Sequence, residues 1–332
     1  MTADLTAEDA APDSGELFVP AATGAARPDP RVLPPAPVTR FAPAPTGLLH
    51  LGHLVNVLYT WGIARATDGR VVLRVEDHDR QRSRPEFEAA LLDDLERLGV
   101  APDEPPGGVA AFRDGTTAYR QSDSTGVYDA ALAALRGQGL VYPCDCTRAT
   151  FAAWQAQRGR AWRGIGCPGA CRARSLPADG GTGLRVAVGA GSERWVDLLS
   201  GPLADEPAAT GDLLVRDRLG NWTYAFCVVV DDMRHGVDLV IRGRDLLEAT
   251  PVQLRLARLL GRETPPRFLH HPLLRRVSGQ KLSKAAGDTA VRSLLDEGRT
   301  PAELFGLAAR LAGLRADATP VEPDALGSLF AA

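Results

Sequence analysis

The sequence lacks the features that mark a membrane or secreted protein. No apolar run in its 332 residues is long enough to span a bilayer. Its first residues lack the basic start and apolar core of a secretory signal. No internal repeat is present either. We therefore expect a cytoplasmic protein with no membrane partner.

Cysteine is scarce, and neither sign of charge dominates. The net charge is -3, so the overall balance does not by itself indicate a nucleic-acid-binding protein, although arginine-rich patches remain compatible with RNA. Four of the five cysteines fall between residues 144 and 171. In a reducing compartment such clustering indicates metal binding rather than disulfides. With 45% hydrophobic residues, the chain can bury a large core in one or two domains.

The first part of the chain alternates between strand and helix patterns. A buried strand at 38–42 precedes apolar residues at helical spacing over 49–65. A strand at 70–76 and a helix at 85–98 follow, with Pro85 in the first turn and Gly99 after the end. This order predicts an α/β fold of the Rossmann-like type with a parallel sheet.

The middle of the chain interrupts that pattern, which then resumes. Short strands, expected to be antiparallel, follow a helix at 127–138. The predicted later elements are strands at 224–230 and 238–242 and helices at 250–260, 291–295 and 301–311. The predicted short strands are 184–188, 194–198 and 212–216.

Five segments follow from these patterns. Residues 1–36 have no periodic apolar pattern and are predicted to be a disordered extension, the alternative being that they fold onto the body. The catalytic α/β unit is predicted in two halves, with an inserted subdomain between them and a short helical segment after them. The predicted bounds are 37–125 and 222–272 for the two halves, 126–221 for the insertion, and 273–332 for the last segment.

A strand, a Pro/Gly turn and a helix start bring two histidines together. The turn Pro43-Ala44-Pro45-Thr46-Gly47 leads into His50-Leu51-Gly52-His53. Residues three apart share a helix face. Imidazoles beside a helix N-terminus suit phosphate, because the exposed N–H groups and the dipole both favour an anion. Gly47 and Gly52 leave room for a flat base near the backbone. The segment predicts a nucleotide site.

A second basic motif lies far downstream. In Gly279-Gln280-Lys281-Leu282-Ser283-Lys284, two lysines three apart can place ammonium groups on a polyphosphate. Taken alone, the segment favours a solvated basic loop. Its occurrence together with the histidine motif favours a nucleotide-binding role.

The two motifs together resemble the HIGH and KMSKS motifs of class I aminoacyl-tRNA synthetases. Within that class, the segments 40–53, 74–77, 223–232 and 241–243 resemble the glutamyl-tRNA synthetases. The chain ends at residue 332, so we expect no anticodon-binding region of the usual kind after Lys284. In this respect, and at 243–247 and 250–251, it resembles the glutamyl-queuosine tRNA(Asp) synthetases, paralogues that join glutamate to the queuosine base of tRNA(Asp).

The resemblance implies a glutamate pocket. Arg40 would pair with the side-chain carboxylate, for which a guanidinium fork is suited. Glu76 would hold the α-ammonium, and Tyr224 and Arg242 would line the same pocket. Ordinary strand-end ion pairs or a core tyrosine are the alternatives. Ala44 stands where the family often has Ser, so the resemblance implies that one hydrogen bond to substrate is missing.

The cysteine cluster predicts a structural zinc site with one ion per chain. Two close pairs, separated by 20 residues, suit four thiolates around a tetrahedral ion. The paralogues have a comparable site, usually with Tyr where Cys167 stands. Four unligated thiols are the alternative. The predicted ligands are Cys144, Cys146, Cys167 and Cys171.

Other cysteine and histidine positions carry weaker expectations. Cys227 is predicted to be a core residue in an apolar strand. For His270 and His271, contact with ATP and a packing role are equally open.

The predicted reaction begins with attack of the glutamate α-carboxylate on the α-phosphorus of ATP. His50 and His53 would hold phosphates, while Lys281 and Lys284 neutralise pyrophosphate and Ser283 lies between them. Mg²⁺ would arrive with ATP. The expected partners are ATP, L-glutamate and tRNA(Asp), and we expect a monomer. A glutamate-activating ligase with another acceptor and a non-catalytic nucleotide- or RNA-binding relic remain the alternatives.

Overall fold

The computed structural model describes residues 18–19, 26–158, 164, 166–177, 181–276 and 290–331. Helices and strands alternate along most of this part of the chain. The helices are α1 (Leu51–Ala66), α2 (Pro85–Arg97), α3 (Ala110–Arg113), α4 (Thr125–Gly137), α5 (Arg148–Arg158), α6 (Tyr224–Arg234), α7 (Thr250–Leu259), α8 (Val291–Asp296) and α9 (Pro301–Leu311). The strands are β1 (Phe18–Val19), β2 (Val38–Phe41), β3 (Arg70–Leu73), β4 (Val141–Cys144), β5 (Gly183–Val186), β6 (Glu193–Asp197), β7 (Gly201–Asp205), β8 (Leu213–Arg216), β9 (Leu239–Gly243), β10 (Arg267–His271) and β11 (Arg275–Arg276).

A set of parallel strands forms the centre of the fold. Strands β2 and β3 run parallel, and β10 runs parallel to both β9 and β6. The two groups meet where Val38 and Asp238 exchange hydrogen bonds, the Asp238 side chain accepting from the Val38 backbone N–H. The carboxyl ends of β2, β3, β9 and β10 consequently lie along one edge. This is the predicted α/β architecture, and it places the loops after these strands next to one another.

Helix α1 begins at that edge and runs into the core. Eleven of its sixteen residues are buried, between the parallel strands on one side and α9 and the C-terminal 3₁₀ turn (Pro323–Leu329) on the other. Gly62 is required at this contact, because a Cβ there would lie 2.4 Å from the Phe330 ring. The C-terminal segment thus packs against the helix that carries the histidine motif.

The antiparallel strands divide between two places. Strands β4, β5 and β8 form a separate three-stranded sheet, which agrees with the antiparallel prediction for the segments at 184–188 and 212–216. The segment at 194–198 differs. Its strand β6 pairs antiparallel with β7 but parallel with β10, so this hairpin extends the central sheet. The bounds of an inserted subdomain at 126–221 remain a prediction, and the β6–β7 hairpin within them belongs to the central sheet.

The prediction of a strand at 224–230 is wrong. The segment forms α6, and its residues 226–232 are all buried. A run of valines favours a strand by propensity. When every position of an apolar run is buried, however, periodicity cannot distinguish helix from strand. Cys227 is buried in the core as expected, but on this helix.

Part of the predicted N-terminal extension lies on the body. Residues 26–36 are described, and the Tyr59 hydroxyl donates to the Ala26 carbonyl at 2.6 Å. Asp29 caps a short 3₁₀ turn, and Arg267 donates to the Val32 carbonyl. Strand β1 pairs with β11. Disorder is therefore the wrong prediction for these described residues. Within the described ranges, no helix is both long and apolar enough to cross a membrane.

Candidate active site

A cleft of about 580 Å³ opens at the carboxyl edge of the parallel strands. It collects the predicted residues of the first motif and of the glutamate pocket, although they are spread over 200 residues of sequence. The predicted residues that line it are Arg40, Ala44, His50, Gly52, His53, Glu76, Tyr224 and Arg242. The predicted Lys281, Ser283 and Lys284 lie outside the described residues. The structure thus brings together one half of the predicted nucleotide site with the predicted pocket.

The two histidines cap helix α1. The Gly52 backbone N–H donates to His50 Nδ1, and the His50 backbone N–H donates to His53 Nδ1, both at 3.1 Å. The rings lie 4.0 Å apart. Because each Nδ1 accepts a hydrogen bond, the neutral rings carry their proton on Nε2. A Cβ on residue 52 would lie 2.9 Å from the His50 ring, which explains glycine there. The arrangement offers N–H donors at a helix N-terminus, as an anion site requires.

Arg40 lies near the carboxyl end of β2, lines the cleft and is almost fully buried. Its Nε lies 3.3 Å from Asp232, and its Nη1 donates to the Ile241 carbonyl at 2.8 Å. Burial alone would favour a neutral Asp232, but the guanidinium groups of Arg40 and Arg74 hold the pKa of its carboxyl below the ordinary value. The sequence left two alternatives for Arg40, an ordinary strand-end ion pair and a position in the pocket. In the structure Arg40 has both, because it pairs with Asp232 and also lines the cleft.

Arg74 organises the acidic side of the cleft, a role that the sequence did not reveal. The side chain is fully buried at the end of β3. It contacts Asp232 at 2.8 Å, Glu76 at 2.9 Å and Asp231 at 3.6 Å. Burial nevertheless raises the pKa of Glu76. One guanidinium thus holds three carboxylates, and Glu76 is positioned at the cleft wall by an ion pair behind it.

Arg242 is held in place by a chain of polar contacts that reaches β6. Its Nε donates to His270 Nε2 at 3.0 Å, and its other nitrogens donate to Gln253 and Thr250. Asp197 accepts from His270 Nδ1 at 2.7 Å and so fixes the tautomer of that ring. Burial lowers the pKa of His270. His270 therefore supports Arg242 from the side away from the cleft. Of the two roles left open by the sequence, contact with ATP and packing, the structure shows the packing role for His270.

Two further cleft residues, Asn56 and His78, were missed by the sequence analysis, and a third, His271, had been left open between contact with ATP and packing. His271 lines the cleft, stacks on Tyr59 at 5.3 Å and contacts Asn56 through Nε2 at 3.1 Å. Burial lowers its pKa to about 4, so it is neutral near pH 7. Asn56 and His78 line the cleft as well. Their only sequence signal was position, since Asn56 lies three residues after His53 on the same helix face.

The four predicted metal ligands form a compact cluster away from the cleft. The Sγ atoms of Cys144, Cys146, Cys167 and Cys171 all lie within 4.8 Å of one another. A zinc ion with bonds of about 2.3 Å to four sulfurs places them about 3.8 Å apart. All but Cys146 are buried, and Arg185 Nε donates to the Cys144 sulfur at 3.2 Å. The donor set and its spacing fit a metal ion.

Comparison with known proteins identifies the family. Residues 37–318 match the family described as tRNA synthetases class I (E and Q), catalytic domain. The chain is 40% identical over 301 residues to the glutamyl-Q tRNA(Asp) synthetase of Symbiobacterium thermophilum, covering 88% of this chain and 91% of that protein. It is 37% identical to the protein of the same name from Rhodobacter capsulatus, covering 80% of this chain and 98% of that one.

Glutamate–tRNA ligases are also similar, over a smaller share of their length. The chain is 38% identical to glutamate–tRNA ligase 2 of Syntrophus aciditrophicus, covering 83% of this chain and 57% of that protein. A solved glutamate tRNA ligase from Elizabethkingia meningosepticum, in complex with its amino acid, superposes with a TM-score of 0.66 at 26% identity, covering 82% of this chain and 60% of that one. The chain therefore belongs to the class I tRNA synthetases of the glutamate and glutamine group, and is a ligase with glutamate–tRNA ligase-type activity.

Proposed function

We propose that the protein activates L-glutamate with ATP and transfers the glutamyl group to the queuosine base of tRNA(Asp). The observation that supports this most strongly is the pair of relatives at 40% and 37% identity that carry that activity in their names and are matched over 91% and 98% of their length. The arrangement of the cleft suits the amino-acid part of the reaction.

In the proposed first step, the glutamate α-carboxylate attacks the α-phosphorus of ATP and pyrophosphate leaves. Arg40 and Arg242 supply positive charge for the side-chain carboxylate, while Glu76 accepts hydrogen bonds from the α-ammonium. His50 and His53 donate from Nε2 to phosphate oxygens at the start of α1. Lys281 and Lys284 neutralise the departing pyrophosphate, with Ser283 between them, and Mg²⁺ accompanies ATP. The ionised carboxylate needs no general base.

The cysteine cluster has a structural role in this proposal. Four thiolates complete a tetrahedral coordination and leave no position for substrate. Zinc bound by Cys144, Cys146, Cys167 and Cys171 would hold the loop after β4 against the loop before β5. It would stabilise the small sheet without taking part in the reaction.

The acceptor is tested with two forms of one RNA. Labelled glutamate and ATP are incubated with tRNA(Asp) that either contains or lacks queuosine. We expect label only on the queuosine-containing form. Equal labelling of both forms would show that the acceptor is a group of the tRNA other than queuosine. Absence of glutamate-dependent pyrophosphate exchange, with or without RNA, would contradict the activation step itself.

The lysine motif can be tested selectively, because Lys281 and Lys284 are the only two lysines of the chain. A lysine-directed reagent, such as pyridoxal phosphate followed by borohydride, can therefore modify only these side chains and the N-terminal amine. We expect saturating ATP to protect the lysines, and modification to abolish pyrophosphate exchange. Modification of both lysines with full retention of exchange would remove them from the mechanism.

A further inference from the structure

The activation step proposed above makes no use of His78. This residue follows Glu76 by two positions and lines the same cleft. Its ring centroid lies 6.4 Å from that of Tyr224, which also lines the cleft. A neutral imidazole can donate from one ring nitrogen and accept a proton at the other.

Buried partners behind His78 determine which of its nitrogens carries the proton. Gln121 is buried, and its Nε2 donates to the fully buried Asp231 at 2.7 Å. That bond fixes the orientation of the amide, so Gln121 Oε1 faces His78 Nδ1, 2.6 Å away. A carbonyl oxygen only accepts, hence Nδ1 donates and bears the hydrogen. In the neutral ring the lone pair is then on Nε2.

The other histidines of this region are arranged differently. His50 and His53 accept backbone N–H groups at Nδ1 and therefore present N–H at Nε2. The Nε2 atoms of His270 and His271 are engaged by Arg242 and Asn56. Among the described residues, no hydrogen bond to His78 Nε2 is formed. His78 is therefore the cleft histidine arranged as a proton acceptor.

We propose that His78 is the general base of the second step; this inference rests on the proposed activation and transfer. Glu76 is proposed to hold the α-ammonium group of glutamate, and the carbonyl carbon that reacts is bonded to the same α-carbon. His78 lies only two positions after Glu76 and therefore close to that carbonyl. A hydroxyl of the acceptor attacks that carbonyl, and its proton passes to His78 Nε2. The new ester C–O bond forms as the bond to the phosphate oxygen breaks, and AMP leaves as an anion. Asp231 acts through Gln121 to position the ring.

The test separates transfer from activation in His78→Ala and His78→Gln. Pyrophosphate exchange reports activation and correct folding, and a single-turnover assay reports transfer from preformed glutamyl-adenylate. We expect the ratio of transfer rate to exchange rate to fall about 100-fold in both variants, a typical contribution of a general base. Added imidazole is expected to restore transfer in His78→Ala, where it finds space, and not in His78→Gln. His235→Gln, which removes an imidazole outside the cleft, serves as the matched control and should keep the ratio.

Three results would overturn the role of His78. The first is an unchanged ratio in His78→Ala. The second is a lowered ratio that imidazole does not restore, which would indicate positioning alone. The third is a parallel loss of exchange and transfer in folded protein, which would place His78 in activation. If the wild-type protein labels tRNA that lacks queuosine, the proposed acceptor is wrong and the same comparison is made with that RNA.

Discussion

The cleft and the cysteine cluster are both buried groups of polar side chains, but they are neutralised in different ways. In the cleft, Arg74 lies between three carboxylates and Arg40 contacts one of them again. In the cluster, four sulfurs lie close together, and partial burial beside the other thiols raises the pKa of Cys146. In the first site arginines of the chain balance every carboxylate of the group, whereas in the second Arg185 contacts only the Cys144 sulfur and Arg174 only that of Cys171, and a metal ion is proposed to complete the balance.

This difference indicates how each site is formed. A network of fixed ion pairs exists as soon as the strands meet, so the cleft is preorganised before substrate binds. A group of thiols gains most of its stability only when metal binding releases the protons, which couples folding to the ion. Four measurements can sharpen or break this contrast.

Loss of the metal should have the largest effect. Structural zinc sites contribute on the order of 10 kcal/mol of apparent binding free energy. We therefore expect Cys167→Ser to lower both the zinc content, from about one ion per chain, and the melting temperature. Cys227→Ser, a matched change at a buried cysteine outside the cluster, should keep the zinc. Metal analysis and thermal unfolding measure both. Metal-free wild-type protein, never exposed to a chelator, would contradict the contrast.

Removal of the central cation of the cleft should have the next largest effect. Arg74→Met leaves Glu76, Asp231 and Asp232 without their shared partner. Breaking a buried ion pair in this way costs about 3–5 kcal/mol of unfolding free energy, measurable by urea denaturation. The exposed Arg113, which pairs with Glu96 and Asp93, provides the control, since Arg113→Gln should cost less than about 1 kcal/mol. Equal losses in the two variants would show that the network does not stabilise the fold.

Loss of the charge on Glu76 should affect catalysis more than stability. Glu76→Gln keeps the shape but weakens the hydrogen bonds to the α-ammonium of glutamate. A charged hydrogen bond contributes about 1.5–3 kcal/mol, so kcat/KM for glutamate in pyrophosphate exchange should fall about 10- to 100-fold. Glu88→Gln, which weakens a half-buried ion pair with Arg120 outside the cleft, is the control. An unchanged kcat/KM would remove Glu76 from substrate binding.

Acidification should reveal a smaller effect at His271. Its pKa is lowered to about 4 by burial, so between about pH 6.5 and 4 the folded state binds fewer protons than the unfolded state. Stability is present above this window and is lost as the pH falls through it. Between pH 7.5 and 5, wild type should lose about 2 kcal/mol more than His271→Gln. Urea unfolding at both pH values measures this, and parallel losses would contradict it.

Local patterns were sufficient for much of the fold. Helices α1, α2 and α4 and strands β2, β3 and β9 were predicted close to their observed bounds, because each carries a clear apolar pattern or an end signal. Helix α6 was predicted as a strand, because its apolar residues are buried on all sides and its valines favour strand locally. Strand β10 was not predicted, since its two histidines give it no apolar pattern in the sequence. They are buried only by residues that the fold packs against them.

The site divides in the same way. The sequence by itself determined which residues form the candidate motifs, since the histidine turn, the lysine pair and the four cysteines are recognisable by type and spacing. Only the tertiary structure decided which side chains support them. Arg74 behind Glu76, Asp197 behind His270 and Gln121 behind His78 come from distant positions of the chain. The reason is physical: a buried charge or tautomer depends on its neighbours in space, and those neighbours are brought together only when parallel strands end at one edge.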